Sequence, residues 1–425
     1  MRMDYIDDFP VDRLLKIASF LAKFSFFIYV FFLIFGTRAP FLEQIKNVED
    51  IRTSNPINQF VYSSLYVISF IAILPKGRKF IDLIINEKFL TCFLIWSFLS
   101  IFWSDVPFIS FKRWLQLFGG VLIISTVLLY IESTDEALGY FKAVFIIYIF
   151  LTFLSLLFIP EAIAWKFDAW RGLAPTKNTL GQISFVSLII WSIALLERGV
   201  VKKTVALIFW CLSLALVLGS RSTTCILTGG ILLYILVLFS ITNRFLKPIV
   251  GKFFAIAFFL TFLVCLIAIG YWKIEFIESF LSLFGKDITL TGRTELWGRV
   301  FDETKNYLLY GCGYGGFWLV DTPILDSIYR EFIWLPNEAH LGYLDILNET
   351  GIVGLCIFFL MVIMYFSRAL KLDKPYSLKW FVISVLILNL SESSLLYPNS
   401  LTGDLFLLAY LALQVDLMKN HESTG

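Results

Sequence analysis

The sequence predicts an all-α polytopic membrane protein, and three observations carry that prediction. Of the 425 residues, 58% are hydrophobic and 16% charged, with 45 phenylalanines and a mean hydropathy of +0.80, whereas a soluble domain is about 25% charged. Apolar runs long enough to cross a bilayer recur along the whole length, so 1–425 reads as a single polytopic domain rather than soluble domains on an anchor. Backbone groups in hydrocarbon have no water to bond, which leaves a helix as the element for each run.

At roughly 20 residues per span, about twelve transmembrane helices follow. They fall near 15–36, 60–75, 89–103, 114–131, 140–159, 181–197, 204–220, 223–242, 253–272, 352–367, 379–397 and 402–418. The residues before the first span are acidic and no small-residue cleavage pattern follows it, so it is expected to stay as a span and not to leave as a signal peptide. Lys76, Arg78, Lys79 and Lys88 follow the second span, and Arg198, Lys202 and Lys203 follow the sixth. Arg244, Lys247 and Lys252 follow the eighth, and Arg368, Lys371, Lys374 and Lys379 the tenth. An alternating path puts all four groups on the side of both termini, which the positive-inside rule makes cytoplasmic. The opposite face then carries 37–59, 104–113, 160–180, 219–223 and 273–351. The last of these is a large external loop of roughly 80 residues, far longer than an ordinary connection, and is expected to carry part of an active site.

With a net charge of +2 and no one-sign tail, the chain offers no electrostatic case for nucleic acid. Its six cysteines are dispersed, so neither a disulfide framework nor a CxxC metal site is expected, and all six read as packing residues.

Candidate functional residues gather on the expected external face. Arg221, in the tight connection Gly219 to Thr223, has to lie at or just inside the interface, where it needs an anionic partner, a wet pocket or a path to lipid head groups. In "TGRTELWGRV", Arg293 and Arg299 lie about 240° apart on a helix, so both cannot face one small ligand, and Arg293 is favoured because the helix N-terminus also attracts anions. "YGCGYGGF" contains a formal GxGxxG, but no βαβ unit surrounds it and tight turns are the expected role of its glycines. In "PNEAHLGYLDILNETG", Asn337 reads as the cap of a helix over 338–350 that ends at Gly351. His340 then sits in the first turn, where the dipole disfavours the imidazolium and Glu338 favours it; a neutral, base-competent ring is expected. "WRGLAPTKNTLG" adds Arg171 and Lys177, which either bind an anion or merely bracket the next span.

Arginines at a membrane boundary suit a phosphate or diphosphate whose lipid tail stays in the bilayer, and a histidine in the same layer suits activation of a sugar hydroxyl. No nucleotide site, no DxD-type carboxylate pair and no metal-ligand cluster is evident, so transfer from a lipid carrier, without metal or cofactor, is the expected chemistry.

In order, "GSRS", "GRTELWGRV", "LYGCGYGGFW" and "NEAHLGYLDILNETGIVGL" resemble the signature region of the O-antigen ligase and polymerase family over about 205–365. "WRGLAPTKNTLGQ" and "WSDVPFISFKR" look closest to its exopolysaccharide polymerases. That resemblance implies a C-type glycosyltransferase architecture in the bacterial inner membrane, with an active site on the periplasmic face. It implies metal-independent, inverting polymerisation of undecaprenyl-diphosphate-linked repeat units into an exopolysaccharide or O-antigen, with a chain-length regulator and a flippase as partners. By the same resemblance Arg221 and Arg293 hold the diphosphate and His340 acts as base or orients the acceptor, while Arg171, Lys177, Arg299 and Glu338 are substrate-binding candidates. The chain departs from the family at Leu341, where Asn is common, and at Thr176, where the exopolysaccharide relatives often carry His. A ligase moving finished glycan to lipid A core or protein uses the same donor chemistry. A transporter is disfavoured because Lys23 and Lys142, the chief intramembrane charges, lie near cytoplasmic ends rather than at the midplane.

Overall fold

Helices account for almost all the regular structure in the computed structural model, which describes residues 9–36, 55–164, 168–196, 203–232, 292–319, 322–332, 336–369 and 378–424. In chain order they are α1 (Phe9–Phe35), α2 (Pro56–Ile73), α3 (Gly77–Asn86), α4 (Lys88–Leu99), α5 (Pro107–Tyr130), α6 (Thr134–Phe158) and α7 (Lys177–Leu196). There follow α8 (Lys203–Gly219), α9 (Thr223–Leu232), α10 (Arg293–Thr304), α11 (Pro323–Glu331), α12 (Gly342–Ala369), α13 (Leu378–Leu388) and α14 (Leu401–Thr424). Ile163–Ala164 and Ala169–Trp170 pair as a minimal antiparallel hairpin.

Seven helical stretches among the described residues are long and apolar enough to cross a bilayer: α1, the α2–α3 run, α5, α6, α7, α12 and α14. Four shorter apolar helices begin at Lys88, Lys203, Thr223 and Leu378. All eleven coincide with expected spans, so this is an all-α, multi-pass membrane protein; the expected span at 253–272 lies outside the described residues. Local chemistry sets the ends. Asn55 caps α2 by accepting the Ile57 and Asn58 N–H groups, and Pro56 occupies the first turn, where its missing N–H is no loss.

α14 is the central post. Residues 402–415 are buried without interruption, and the helix packs against α5, α12 and α13. The outer helices point Phe20, Phe24, Phe60, Phe70, Phe150 and Phe158 outward, as segments facing lipid rather than water do.

Two expectations about helix ends are corrected. The span at 379–397 stops at Leu388 because Asn389 competes for the backbone: its Nδ2 donates to Val385 O, while its Oδ1 accepts from Ser394 N and Leu395 N. Residues 389–400 form an ordered loop instead of helix. The helix expected over 338–350 starts only at Gly342, because the preceding donors are spent on that loop. Leu341 N–H bonds Ser393 Oγ, and Gly342 N–H is shared by the Asn389 and Glu392 carbonyls.

Gly351 breaks α12 with φ +69° and ψ −174°, a conformation that only glycine adopts readily. The glycine-rich loop closes the gap: Ile352 N–H bonds Leu308 O, while Cys312 N–H and Gly313 N–H bond Asn348 O and Glu349 O. Positive φ at Gly311, Gly313 and Gly315 confirms the turning role of that stretch. Beyond the break, 352–369 is about 27 Å of helix, close to the ~30 Å hydrocarbon core. Residues 342–350 therefore lie at the edge of that layer. Leu296, Val300, Phe317, Leu325, Ile328 and Ala339 form a small apolar cluster of their own beside it.

The far end of the bundle is basic. Lys76 and Lys419 donate to the Leu129 and Ile131 carbonyls at the end of α5, and Arg368 pairs with Glu87 and Gln414. α12 runs from that end to the loop at 389–400.

Candidate active site

Arg293 opens α10, directly after Gly292 in the left-handed region at φ +82°. Its Nη1 donates to the Ser391 carbonyl and its Nη2 lies 3.6 Å from Glu392 Oε1. Trp297, one turn on, fastens α10 to the histidine loop by donating to Ala339 O at 2.7 Å. Arg299 takes another direction. It binds Glu303 at 2.6 Å, Glu331 at 2.9 Å and the Ser327 hydroxyl at 2.8 Å, so the structure does not bring it to the cluster around Arg293.

His340 does not occupy a helical turn; it sits before α12 with φ +51°. Its Nδ1 lies 2.7 Å from Glu338 Oε1 and 3.8 Å from Glu392 Oε2. Burial alone would pull the ring's pKa down, and Arg293 opposes the charge, but the two carboxylates outweigh both and raise it to about 9. The expected neutral ring is thus corrected: at physiological pH the resting site holds an imidazolium. Leu341 packs its side chain against the small apolar cluster.

Glu392 is 5% exposed at its side chain, and its Oε2 accepts from Gln182 Nε2 at 2.9 Å. Neither residue was a candidate on sequence grounds. Gln182 ends the quoted "TKNTLGQ", and Glu392 stands with three serines inside an otherwise apolar run; a carboxylate in such a run was the available signal.

The "WRG" and "TKN" stretches pack against the Arg221 turn. A side chain at Gly219 would collide with Trp170, and one at Gly181 with Ser222. Arg221 itself has φ +46° and pairs with Asp168 at 2.8 Å, with side chains 59% and 81% exposed. So exposed a pair is weak, and the guanidinium is readily released to a stronger anion. Lys177 lies close enough to Arg221 for their charges to repel. Arg171, by contrast, is buried in its own loop and donates to the Glu161 and Pro175 carbonyls. Thr176 caps α7 by accepting the Thr179 N–H.

Between α9, α10 and α13 runs an apolar groove of about 200 Å³. Leu227 and Ile231 line one side, Ile387 and Leu390 the other, and Arg293 and Ser391 the polar end. Thr223, two residues after Arg221, lines the same groove.

Glu338, His340 and Glu392 also bring three donor atoms within 4.8 Å of one another, a cluster that sequence spacing did not reveal. A divalent cation could bridge them, although Arg293 already supplies positive charge beside Glu392.

Residues 206–359, which contain Arg221, Arg293, Glu338 and His340, match the model of the family described as O-Antigen ligase. That match covers little more than a third of the chain, and over that stretch the chain is similar to the O-antigen ligase family. It is also 25% identical over 312 residues to the exopolysaccharide production protein ExoQ of Rhizobium meliloti (strain 1021), covering 70% of this chain and 69% of that protein. The matched residues leave out Gln182 and the loop that carries Glu392, which meet through the fold.

Proposed function

We propose that the protein is a glycosyltransferase that polymerises lipid-diphosphate-linked repeat units, such as those on undecaprenyl diphosphate, into a surface polysaccharide. The observation that carries this reading is the position of Arg293, at the polar end of an apolar groove and 3.6 Å from the buried cluster of Glu392 and His340. A lipid tail fits the groove, a diphosphate fits Arg293 with the weakly held Arg221, and the sugar bond then lies beside the titratable cluster. The acceptor hydroxyl attacks the anomeric carbon from the side opposite the diphosphate, inverting the centre. Its proton passes to neutral His340, and the C–O bond breaks with its electron pair leaving on the diphosphate. No step draws on a metal or cofactor. Polymerisation is preferred over ligation because the relative matched over most of the chain is named for exopolysaccharide production. In this reading the basic end faces the cytoplasm and the cluster faces the periplasm.

The test is a sizing gel of surface and lipid-linked glycan from the gene deletion, the complemented strain and strains carrying His340→Ala or Arg221→Lys. Loss of long chains with single repeat units remaining is the expected result for the deletion. His340→Ala should lower transfer by about 10²–10⁴-fold, as removal of a base does. Arg221→Lys should also fail, since lysine keeps the charge but not the paired donors. Long lipid-linked chains that never reach their acceptor would establish a ligase instead.

A further inference from the structure

A second, more enclosed cavity of about 180 Å³ lies on the other side of the 391–393 loop from the groove. That volume is well above the roughly 15 Å³ one water needs, so it admits a sugar-sized ligand. Its walls carry the rings of Phe93, Tyr314, Trp318 and Tyr397, and three carboxylates, Glu338, Asp345 and Glu349. No lysine or arginine lines it. Asp345 and Glu349 stand four residues apart, on one face of 342–350, the first half-buried and the second buried. Asp345 also fixes a ring in place, since Trp318 Nε1 donates to its Oδ1 at 2.7 Å.

Three successive residues divide the space. Ser391 lines the groove, Glu392 faces His340, and Ser393 lines the cavity. Glu338 belongs to both cavity and cluster, because its carboxylate lies 2.7 Å from His340 Nδ1. Two chemically different chambers therefore meet at one proton-bearing group.

We infer that this cavity holds the terminal sugar of the acceptor glycan and selects an uncharged one. The inference rests on the transferase reading above and adds to it where the acceptor lies and what it has to lack. Sugar hydroxyls donate strong hydrogen bonds to carboxylates, and the C–H faces of a pyranose pack on aromatic rings. A uronate, phosphate or other anionic substituent would give up its water in an enclosed, acid-lined space with no lysine or arginine on the walls.

The experiment uses the full chain in nanodiscs, with lipid-linked repeat units extracted from the deletion strain as donor. The acceptor is the repeat-unit oligosaccharide released from its lipid, used before and after oxidation of the terminal primary alcohol to a carboxylate. The neutral acceptor should be elongated, and the oxidised one should show at least a tenfold lower kcat/KM. Glu349→Gln should raise the acceptor KM about tenfold and leave the donor KM unchanged. Equal use of the two acceptors by the parent protein, or a repeat unit that ends naturally in an anionic sugar, overturns the inference without any variant having to fold. An unchanged acceptor KM in Glu349→Gln, with transfer intact, does the same and leaves the transferase reading standing. No transfer to either acceptor from an intact donor overturns the transferase reading itself.

Discussion

At the scale of single residues, the charge on His340 is the feature with the clearest consequence. Its pKa stands at about 9 in the folded protein against 6.5 for a free side chain. A raised value means that the imidazolium stabilises the fold fully below about pH 6.5, and that this contribution is lost as pH rises through about 9. The difference in Tm between the parent and His340→Gln should therefore be largest near pH 6 and shrink by pH 9.5. A difference independent of pH would show that the ring is not charged in the resting fold. Catalysis carries the opposite slope, because only the neutral ring accepts a proton: transfer should climb with pH toward 9, and a flat profile would assign the base to a carboxylate.

At the scale of elements, Gly351 separates a membrane-crossing helix from the short helix that bears Asp345 and Glu349. Gly351→Ala forces an L side chain into a region that costs about 1–3 kcal/mol and pushes it into the Leu309 carbonyl. Its Tm should fall clearly, whereas Gly298→Ala, with open space around it in α10, should be neutral or slightly stabilising. Equal melting of the two variants would refute the role given to the break. The apolar runs were legible in the sequence because the bilayer demands them; the ends of α12 and α13 were not. Helix ends there are decided by which distant carbonyl or side chain takes the free N–H groups, and Asn389 and Gly342 bond to each other's segments across about 50 residues of chain. Arg221, Arg293 and His340 were legible as candidates from motif order, and of the two α10 arginines it is Arg293 that lies beside Glu392, while Arg299 pairs with Glu303 and Glu331. Glu392 and Gln182 were hidden because each lies in a run that hydropathy alone assigns to lipid, and His340's charge was hidden because Glu392, which joins Glu338 in raising it, comes from that same unrecognised loop.

At the scale of the whole molecule, the basic end and the titratable cluster occupy opposite ends of the bundle, which makes orientation a measurable property. In intact cells a membrane-impermeant thiol reagent should label Asp302→Cys, an exposed position on α10, without permeabilisation. Lys88→Cys, exposed near the basic end, should be labelled only after permeabilisation. The reverse pattern would invert the proposed topology.

The run Ser391, Glu392, Ser393 has an evolutionary corollary. Because neighbouring residues serve the groove, the proton-bearing cluster and the cavity in turn, deleting or inserting a single residue there would send each side chain to its neighbour's compartment. Point substitutions on α9 or on 342–350, by contrast, alter one chamber and leave the other alone. Selection on this chain would then guard the length of the α13–α14 connection more strictly than its composition, while recognition of the two reactants stays free to diverge separately.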